Sequence, residues 1–179
     1  VYVVIEDMCA SGCYYIAVAA DKIYADKGSM VGSIGVRMDT FGVTGLMEKL
    51  GIENRSMHAG DHKAFIDPFS EKDEVGRSFF QEMVLEKTHQ QFIKVVRAGR
   101  GDRLKETTET YSGLVWLGED AIKKGLIDEL NSLGGVTRDV IGVSKIKVYA
   151  PKKSIMEEIM GDITSETSAR LALLLSSMR

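Results

Sequence analysis

Residues 1–20 read VYVVIEDMCASGCYYIAVAA, and this stretch decides how the start of the chain folds. Its first five residues are all β-branched or aromatic, which is typical of a buried strand. Ala10, Ser11 and Gly12 are small residues that suit a tight turn, and the alanine-rich run at 14–20 suits a buried helix. The segment therefore predicts a strand, a tight turn and a helix, with Ser11 where the helix begins.

The rest of the chain continues the alternation of strands and helices, which favours an α/β layered core. The pattern predicts the following elements: strands at 21–26 and 53–57, an apolar glycine-containing stretch at 30–36, a loop at 58–69, and helices at 41–50, 70–97, 104–112 and 119–124. The helix at 70–97 has Ser70 as its expected N-cap. Its expected apolar face comprises Val75, Phe79, Met83, Phe92 and Val96.

The composition indicates one folded α/β domain with a substantial core. The 179 residues are 44% hydrophobic and 27% charged, and the formal net charge is −3. Basic residues are scattered among acidic ones, so the chain lacks the basic surface that nucleic-acid binding requires. No apolar run approaches the roughly 18 residues of a membrane span.

The two cysteines, Cys9 and Cys13, lie four residues apart, and the sequence contains no others. Two cysteines alone cannot build a disulfide framework or a four-cysteine zinc site. We therefore expect both to be buried, reduced thiols, and we expect no metal and no cofactor.

The opening strand at residues 1–5 begins without a preceding turn or cap, which suggests that an upstream segment is missing. We expect residues 1–150 to form the catalytic α/β domain. We expect residues 151–179 to form a helical tail, because Ile155, Ile159 and Ile163 recur at helical spacing. Its expected role is core packing or contact between subunits.

Ser11 is a candidate nucleophile because a strand-to-helix turn places free backbone N–H groups beside its hydroxyl. The alternative is that Ser11 only caps the helix. A serine nucleophile needs a base, and none of the histidines, His58, His62 and His89, forms a defensible pattern with an acid. Lys63 is the other candidate, provided that burial lowers its pKa by about three units.

Four segments resemble the signal peptide peptidase A family of bacteria and the related SohB-type peptidases, in the same order and with similar spacing. They are Ala10-Ser11-Gly12-Cys13-Tyr14-Tyr15-Ile16-Ala17; Val31-Gly32-Ser33-Ile34-Gly35-Val36; Gly60-Asp61-His62-Lys63 with Pro68-Phe69; and Trp116-Leu117-Gly118-Glu119-Asp120-Ala121 with Gly125-Leu126-Ile127-Asp128. The family usually has glycine where this chain has Cys13.

The resemblance implies a role for each matched residue. Ser11 would be the nucleophile, Lys63 the general base, and Ser33 the residue that orients the lysine amine by a hydrogen bond. The backbone N–H groups of Ser11 and Gly12 would contribute to the oxyanion hole, with a further donor upstream of Val1. A serine suits the orienting role because a hydroxyl aligns a neutral amine without favouring its charged form.

The resemblance also implies a crotonase-like (Clp-protease-like) layered fold with repeated ββα units and a helical C-terminal part. The implied function is a serine endopeptidase with a Ser-Lys dyad that degrades cleaved signal peptides or other apolar peptides. Its expected location is the bacterial inner membrane, held by an upstream anchor, with the catalytic domain facing the periplasm or extracytoplasmic side. The expected assembly is a homo-oligomeric ring or dome.

Two alternatives remain open. The first is a crotonase-type acyl-CoA enzyme, because fold does not fix function. The second is a non-catalytic oligomeric scaffold.

Overall fold

The computed structural model describes residues 1–149 of the chain. Its compact unit, Val1–Gly142, contains every helix and strand of the described residues, and residues 143–149 add no further element. The predicted tail at 151–179 lies outside the described residues. The division into 1–150 and 151–179 therefore stays a prediction.

The first sheet contains three parallel strands in the order β1-β3-β6. These strands are β1 (Tyr2–Ile5), β3 (Lys22–Ala25) and β6 (Glu129–Leu130). Residue Val3 pairs with Ile23, and Ile23 is completely buried. The predicted strands at 1–5 and 21–26 are therefore confirmed.

The second sheet also contains three strands, in the order β2-β4-β5. These are β2 (Met8–Ala10), β4 (Met30–Gly32) and β5 (Val115–Leu117). Strands β2 and β4 run parallel with Cys9 opposite Val31, whereas β4 and β5 run antiparallel. The chain is thus a mixed α/β structure in which parallel strand pairs are combined with helices.

The helices surround these sheets, and the longest helical stretch is continuous from residue 74 to residue 100. The elements are α1 (Gly12–Ala17), α2 (Thr44–Leu50), α3 (Glu74–Phe80), a π-helical segment (Gln81–Glu86), α4 (Lys87–Arg100), a short 3-10 turn (Gly101–Arg103), α5 (Gly118–Lys123), α6 (Leu133–Gly135) and a second π-helical segment (Val136–Ile141). No helix within residues 1–149 combines the length and apolar character needed to cross a bilayer.

The core is formed where helices α1 and α4 pack on the sheets. Tyr14 and Ala17 of α1 and Phe92 and Val96 of α4 are buried in one apolar cluster. The Tyr14 hydroxyl donates a 2.7 Å hydrogen bond to the carbonyl of Leu126. This bond ties the helix that follows Ser11 to the segment before β6, and burial raises the pKa of Tyr14.

A buried ion pair joins the end of α4 to the first sheet. The Arg100 side chain is fully buried, and its guanidinium donates two 2.9 Å hydrogen bonds to the Asp128 carboxylate. Asp128 also accepts a 2.7 Å bond from the backbone N–H of Ile23 in β3. Burial raises the pKa of Asp128, but the hydrogen bonds from Arg100 and Ile23 outweigh it and hold the pKa below its usual value.

The predicted N-cap and part of the predicted apolar face of the long helix are wrong. Asp73, not Ser70, caps helix α3, because its carboxylate accepts the backbone N–H of Gly76 at 2.9 Å. Ser70 instead donates its hydroxyl to Asp67. Phe92 and Val96 are buried as predicted, but Val75 and Phe79 are 65% and 63% exposed. Only the α4 half of the helix therefore packs inward.

The predicted strand at 53–57 is not formed. Residues 52–58 have no regular structure, and the Asn54 side chain accepts the backbone N–H of Ser56 and donates to the carbonyl of Phe69. Local side-chain bonds of this kind compete with the ladder of a sheet.

The predicted helix at 104–112 is replaced by turns. The Thr110 hydroxyl accepts the backbone N–H of Thr107, and the Ser112 hydroxyl donates to the carbonyl of Glu109. Threonine and serine side chains thus satisfy backbone groups that a helix would have paired internally.

Candidate active site

Ser11 occupies a strained turn between strand β2 and helix α1. Its backbone has φ 53° and ψ −119°, and it is one of only two non-glycine residues with positive φ in residues 1–149. A residue in such a conformation costs about 1 to 3 kcal/mol and persists only where its surroundings impose it. Ser11 is exposed, and its side chain makes no capping hydrogen bond to helix α1. The simple N-cap interpretation therefore fails.

The backbone hydrogen bonds of Ser11 fix the direction of the turn. Its N–H donates to the carbonyl of Gly32 at 2.8 Å, and its carbonyl accepts the N–H of Tyr15 at 2.9 Å. The Ser11 N–H is thus already engaged, which corrects its expected place as an oxyanion donor. Gly12, the first residue of α1, keeps an N–H without an intrahelical partner because helical bonding begins further along.

Cys9 and Cys13 form a disulfide on either side of Ser11, with their Cα atoms 5.0 Å apart. The expectation of two reduced thiols is wrong. Cys9 lies in strand β2 and Cys13 in the first turn of α1. The turn at Ser11, between these two elements, brings the two cysteines together. A spacing of four residues gave no sequence signal for this bond, since it depends on the unusual backbone of Ser11.

Ser33 is the other non-glycine residue with a positive φ in residues 1–149, at 51°. It follows strand β4, and its N–H donates to the carbonyl of Leu114 at 2.7 Å. Both serines line one open cavity of about 720 Å³. The other residues that line it are Gly12, Tyr15, Gly35, Val36, Arg37, Thr88, Phe92, Ser112 and Gly113.

Several of these lining residues were not identified from the sequence. Tyr15 lies four residues after Ser11 on α1, so helical spacing could have indicated it. Thr88 and Phe92 come from α4, and no sequence pattern shows which face of that helix meets the cavity.

Lys63 is not among the residues of 1–149 that line the cavity of Ser11 and Ser33. It lies in consecutive turns at 61–66, where its N–H donates to the carbonyl of Gly60 at 3.1 Å, and it is exposed. The burial that a neutral lysine needs is therefore not provided at this position by residues 1–149.

The turns around Lys63 contact helix α3 at its N-cap, Asp73, and at its last residue, Phe80. His62 Nδ1 lies 2.7 Å from Asp73 Oδ2, and the Phe65 ring packs against Phe80 with 5.4 Å between ring centroids. The Gly76 N–H and the His62 ring hold the pKa of Asp73 below its usual value. Sequence reasoning missed this pair because the ten residues between His62 and Asp73 show no pattern.

Residues 1–149 contain no group of three His, Cys, Asp or Glu side chains placed to hold a metal ion. The cavity combines serine hydroxyls with the free backbone N–H of Gly12, and a hydroxyl beside a free backbone N–H can take part in acyl transfer.

The model of peptidase family S49 matches residues 1–145. The chain belongs to peptidase family S49. The expected resemblance to the SppA and SohB-type peptidases is confirmed, and so is the prediction of a serine peptidase at the level of the family. The match covers both serines of the cavity and Lys63.

Known members and relatives of the S49 family resemble the chain over most of its length. A putative protease, MJ0651, of Methanocaldococcus jannaschii is 40% identical over 132 residues, which are 74% of this chain and 42% of that protein. A putative signal peptide peptidase SppA of Enterococcus faecium is 32% identical over 130 residues, which are 73% of this chain and 38% of that protein.

A third relative carries a different kind of name. A protein of Brucella abortus named as the Na(+)/H(+) antiporter NhaA is 38% identical over 157 residues, which are 87% of this chain and 21% of that protein. The chain therefore spans less than half the length of each of these relatives.

Proposed function

We propose that this chain provides the catalytic serine of an S49 endopeptidase, with Ser11 as nucleophile, Lys63 as general base and Ser33 as the residue that orients the lysine. The observation that carries the proposal is the strained backbone of Ser11. Its hydroxyl makes no capping bond to helix α1 and lines the cavity. Strain of this kind at a strand-to-helix turn is typical of catalytic serines.

In the proposed reaction, the neutral amine of Lys63 takes the proton of the Ser11 hydroxyl while Oγ attacks the peptide carbonyl carbon. The carbonyl oxygen becomes an oxyanion, which accepts a hydrogen bond from the Gly12 N–H and from a further donor. The tetrahedral intermediate then collapses, and the leaving amine takes the proton from Lys63. Water hydrolyses the acyl-enzyme by the same route and regenerates Ser11.

Ser33 would hold Lys63 by accepting a hydrogen bond from an N–H of its amine, so that the lone pair faces Ser11. Support comes from the position of Ser33 in the same cavity as Ser11, with a positive φ of its own. A second residue with strained backbone at the same cavity indicates that both hydroxyl positions are imposed by the fold.

The finer assignments rest on the family. We propose a crotonase-like layered fold, apolar peptides such as cleaved signal peptides as substrates, and a homo-oligomeric assembly at the bacterial membrane with the site on the extracytoplasmic side. The mixed α/β architecture and the aromatic lining of the cavity support the fold and the substrate class.

The exposed position of Lys63 leaves two ways for it to meet Ser11. Either the turns at 61–66 move toward the cavity, or a second copy of the chain supplies the lysine. Mixing Ser11→Ala protein with Lys63→Ala protein separates them: recovered activity means that the two residues act across copies, and no recovery means that they act within one.

The test of the function is hydrolysis of an apolar fluorogenic peptide by the full-length protein between pH 6 and pH 10. We expect Ser11→Ala and Lys63→Ala each to lower the rate at least a thousandfold, because members of a catalytic unit fail together. Glu48→Ala, an exposed change on helix α2, serves as the control and should leave the rate unchanged. Unchanged activity in either active-site variant would remove that residue from the mechanism.

A further inference from the structure

The Cys9–Cys13 disulfide closes a ring of five residues with Ser11 at its centre. Cys9 belongs to strand β2 and is 2% exposed within the apolar core. Cys13 belongs to the first turn of helix α1 and is exposed. One end of the ring is therefore anchored in the core, and the other end reaches the surface beside the cavity.

Three constraints act on the Ser11 backbone. Two are hydrogen bonds, from the Ser11 N–H to Gly32 and from the Tyr15 N–H to the Ser11 carbonyl. The third is the disulfide, which spans the strained residue from both sides. A short covalent ring limits the conformations open to the residues inside it, whereas each hydrogen bond can be exchanged for one to water.

We propose that Cys9 and Cys13 are positioning residues for Ser11, and that reduction of their disulfide by a dithiol lowers the reactivity of the serine. The inference rests on the proposed function, because it takes Ser11 as the nucleophile. Opening the ring allows Ser11 to leave its positive-φ conformation, and the hydroxyl then spends less time at the cavity mouth.

The reduction balances with one dithiol per disulfide. A thiolate of the reductant attacks Sγ of the exposed Cys13 and forms a mixed disulfide, and Cys9 leaves as a thiolate that takes up a proton. The second thiol of the reductant displaces Cys13, which also becomes a thiol. The reductant gives up two electrons and closes into its own disulfide.

A glycine at position 13 could not form the ring, so the backbone of Ser11 would then be held by hydrogen bonds alone. In this chain the covalent ring makes the reactivity of Ser11 depend on the thiol–disulfide balance of the surroundings. The cavity itself needs no rearrangement for this control, because Cys9 and Cys13 are not among the described residues that line it.

The test measures the rate at which a fluorophosphonate labels Ser11, since this reaction reports the serine without peptide binding. Full-length protein is compared before and after treatment with dithiothreitol, and thiol alkylation followed by mass measurement verifies the state of both cysteines. We expect reduction to slow labelling about tenfold, the population ratio that corresponds to the strain of one such residue. Reoxidation should restore the rate.

The matched control is the double variant Cys9→Ala/Cys13→Gly, which cannot form the ring. Its labelling rate should equal that of the reduced wild type and should not respond to dithiothreitol. In peptide hydrolysis, the effect should fall on kcat rather than on KM, because the cavity lining is unchanged. If the disulfide only stabilised the fold, its loss would lower the melting temperature and leave both rates at 25 °C unchanged.

The outcomes distinguish the inference from the proposed function. Equal labelling of Ser11 in the oxidised and reduced protein overturns the positioning role while Ser11 remains the nucleophile. No labelling of Ser11 in either state overturns the proposed function and this inference with it. Free thiols in the untreated protein, purified without reductant, also overturn the inference.

Discussion

The surroundings of Ser11 and those of Lys63 differ in how the chain holds them. The Ser11 turn follows strand β2, in which Cys9 lies opposite Val31 of β4. These two residues are 2% and 0% exposed, so the core imposes the geometry of the turn. Lys63 lies in exposed turns that are attached by one histidine and one phenylalanine ring. The proposed nucleophile is held by the core and the proposed base is held at the surface, so the two regions should respond differently to mutation.

The largest expected effect is at Asp128, the partly buried carboxylate that pairs with Arg100. Asp128→Asn leaves the fully buried Arg100 without its charge partner and should lower the free energy of unfolding by about 3 to 5 kcal/mol. The matched variant on the lysine side, Asp73→Asn, should cost less than about 1 kcal/mol, because asparagine also caps helices. Urea unfolding measures both, and equal costs would contradict the comparison.

The pH dependence of the Asp128 contribution has a definite sign. Because the folded-state pKa of Asp128 is lowered, its stabilisation is present above the ordinary carboxyl pKa of about 4 and is lost as the pH falls through the folded value. The free energy of unfolding of the wild type should therefore decrease from about pH 4 to pH 2. Asp128→Asn should show a smaller decrease over that range, and an equal decrease would exclude Asp128 as its source.

A somewhat smaller effect is expected at Gly32, whose carbonyl accepts the Ser11 N–H. Its φ is 117°, and an added Cβ would lie 2.8 Å from the Trp116 ring. Gly32→Ala should cost about 3 kcal/mol, from backbone strain and overpacking together. Gly60→Ala, at φ 99° with nothing within 4 Å, should cost about 1 kcal/mol from strain alone. Thermal unfolding measures both, and a cost at Gly60 as large as that at Gly32 would be against the prediction.

Strain at Ser11 predicts an unusual order of stabilities. Ser11→Gly should be more stable than Ser11→Ala by about 1 kcal/mol, because only glycine adopts a positive φ without cost. At Lys63, whose φ is not positive, the order should reverse, with Lys63→Gly less stable than Lys63→Ala by up to about 1 kcal/mol. If urea unfolding showed Ser11→Gly to be no more stable than Ser11→Ala, Ser11 would not be strained.

The smallest effect is expected at His62. His62→Ala removes the bond to Asp73 and should reduce peptide hydrolysis about threefold, since the turn that carries Lys63 loses its side-chain bond to the N-cap of helix α3. Stability should change by less than about 1 kcal/mol, because the pair is exposed. His62→Asn places an amide N–H near the position of Nδ1 and should recover most of the rate. A variant with wild-type rate would exclude a role for the pair.

The sequence predicted the Ser11 side of the molecule better than the Lys63 side. Strong periodicity and small residues indicated strands β1 and β3, the turn at Ser11 and helix α5, whose end at Gly125 is confirmed by its φ of 72°. The expected strand at 53–57 failed because the polar side chain of Asn54 satisfies the backbone locally, which no hydrophobic pattern records.

The candidate site shows the same limit. Ser11 and Ser33 line the same cavity because the parallel strands that precede them, β2 and β4, end side by side. The motifs indicated both residues. The disulfide, the His62–Asp73 pair and the cavity face of α4 depend on three-dimensional placement across turns. Residue types alone gave no signal for them.

The π-helical segment Gln81–Glu86 gives the long helix a further property. The start of this helix receives His62 and Phe65 from the lysine turns, and its later part presents Thr88 and Phe92 to the serine cavity. A π turn accommodates an extra residue, which rotates everything after it by about 100° relative to an uninterrupted α-helix. The residues after the π-helical segment therefore face a different side of the helix than they would in an uninterrupted α-helix. Deleting one residue within it would turn Phe92 away from the serine while leaving Asp73 in place.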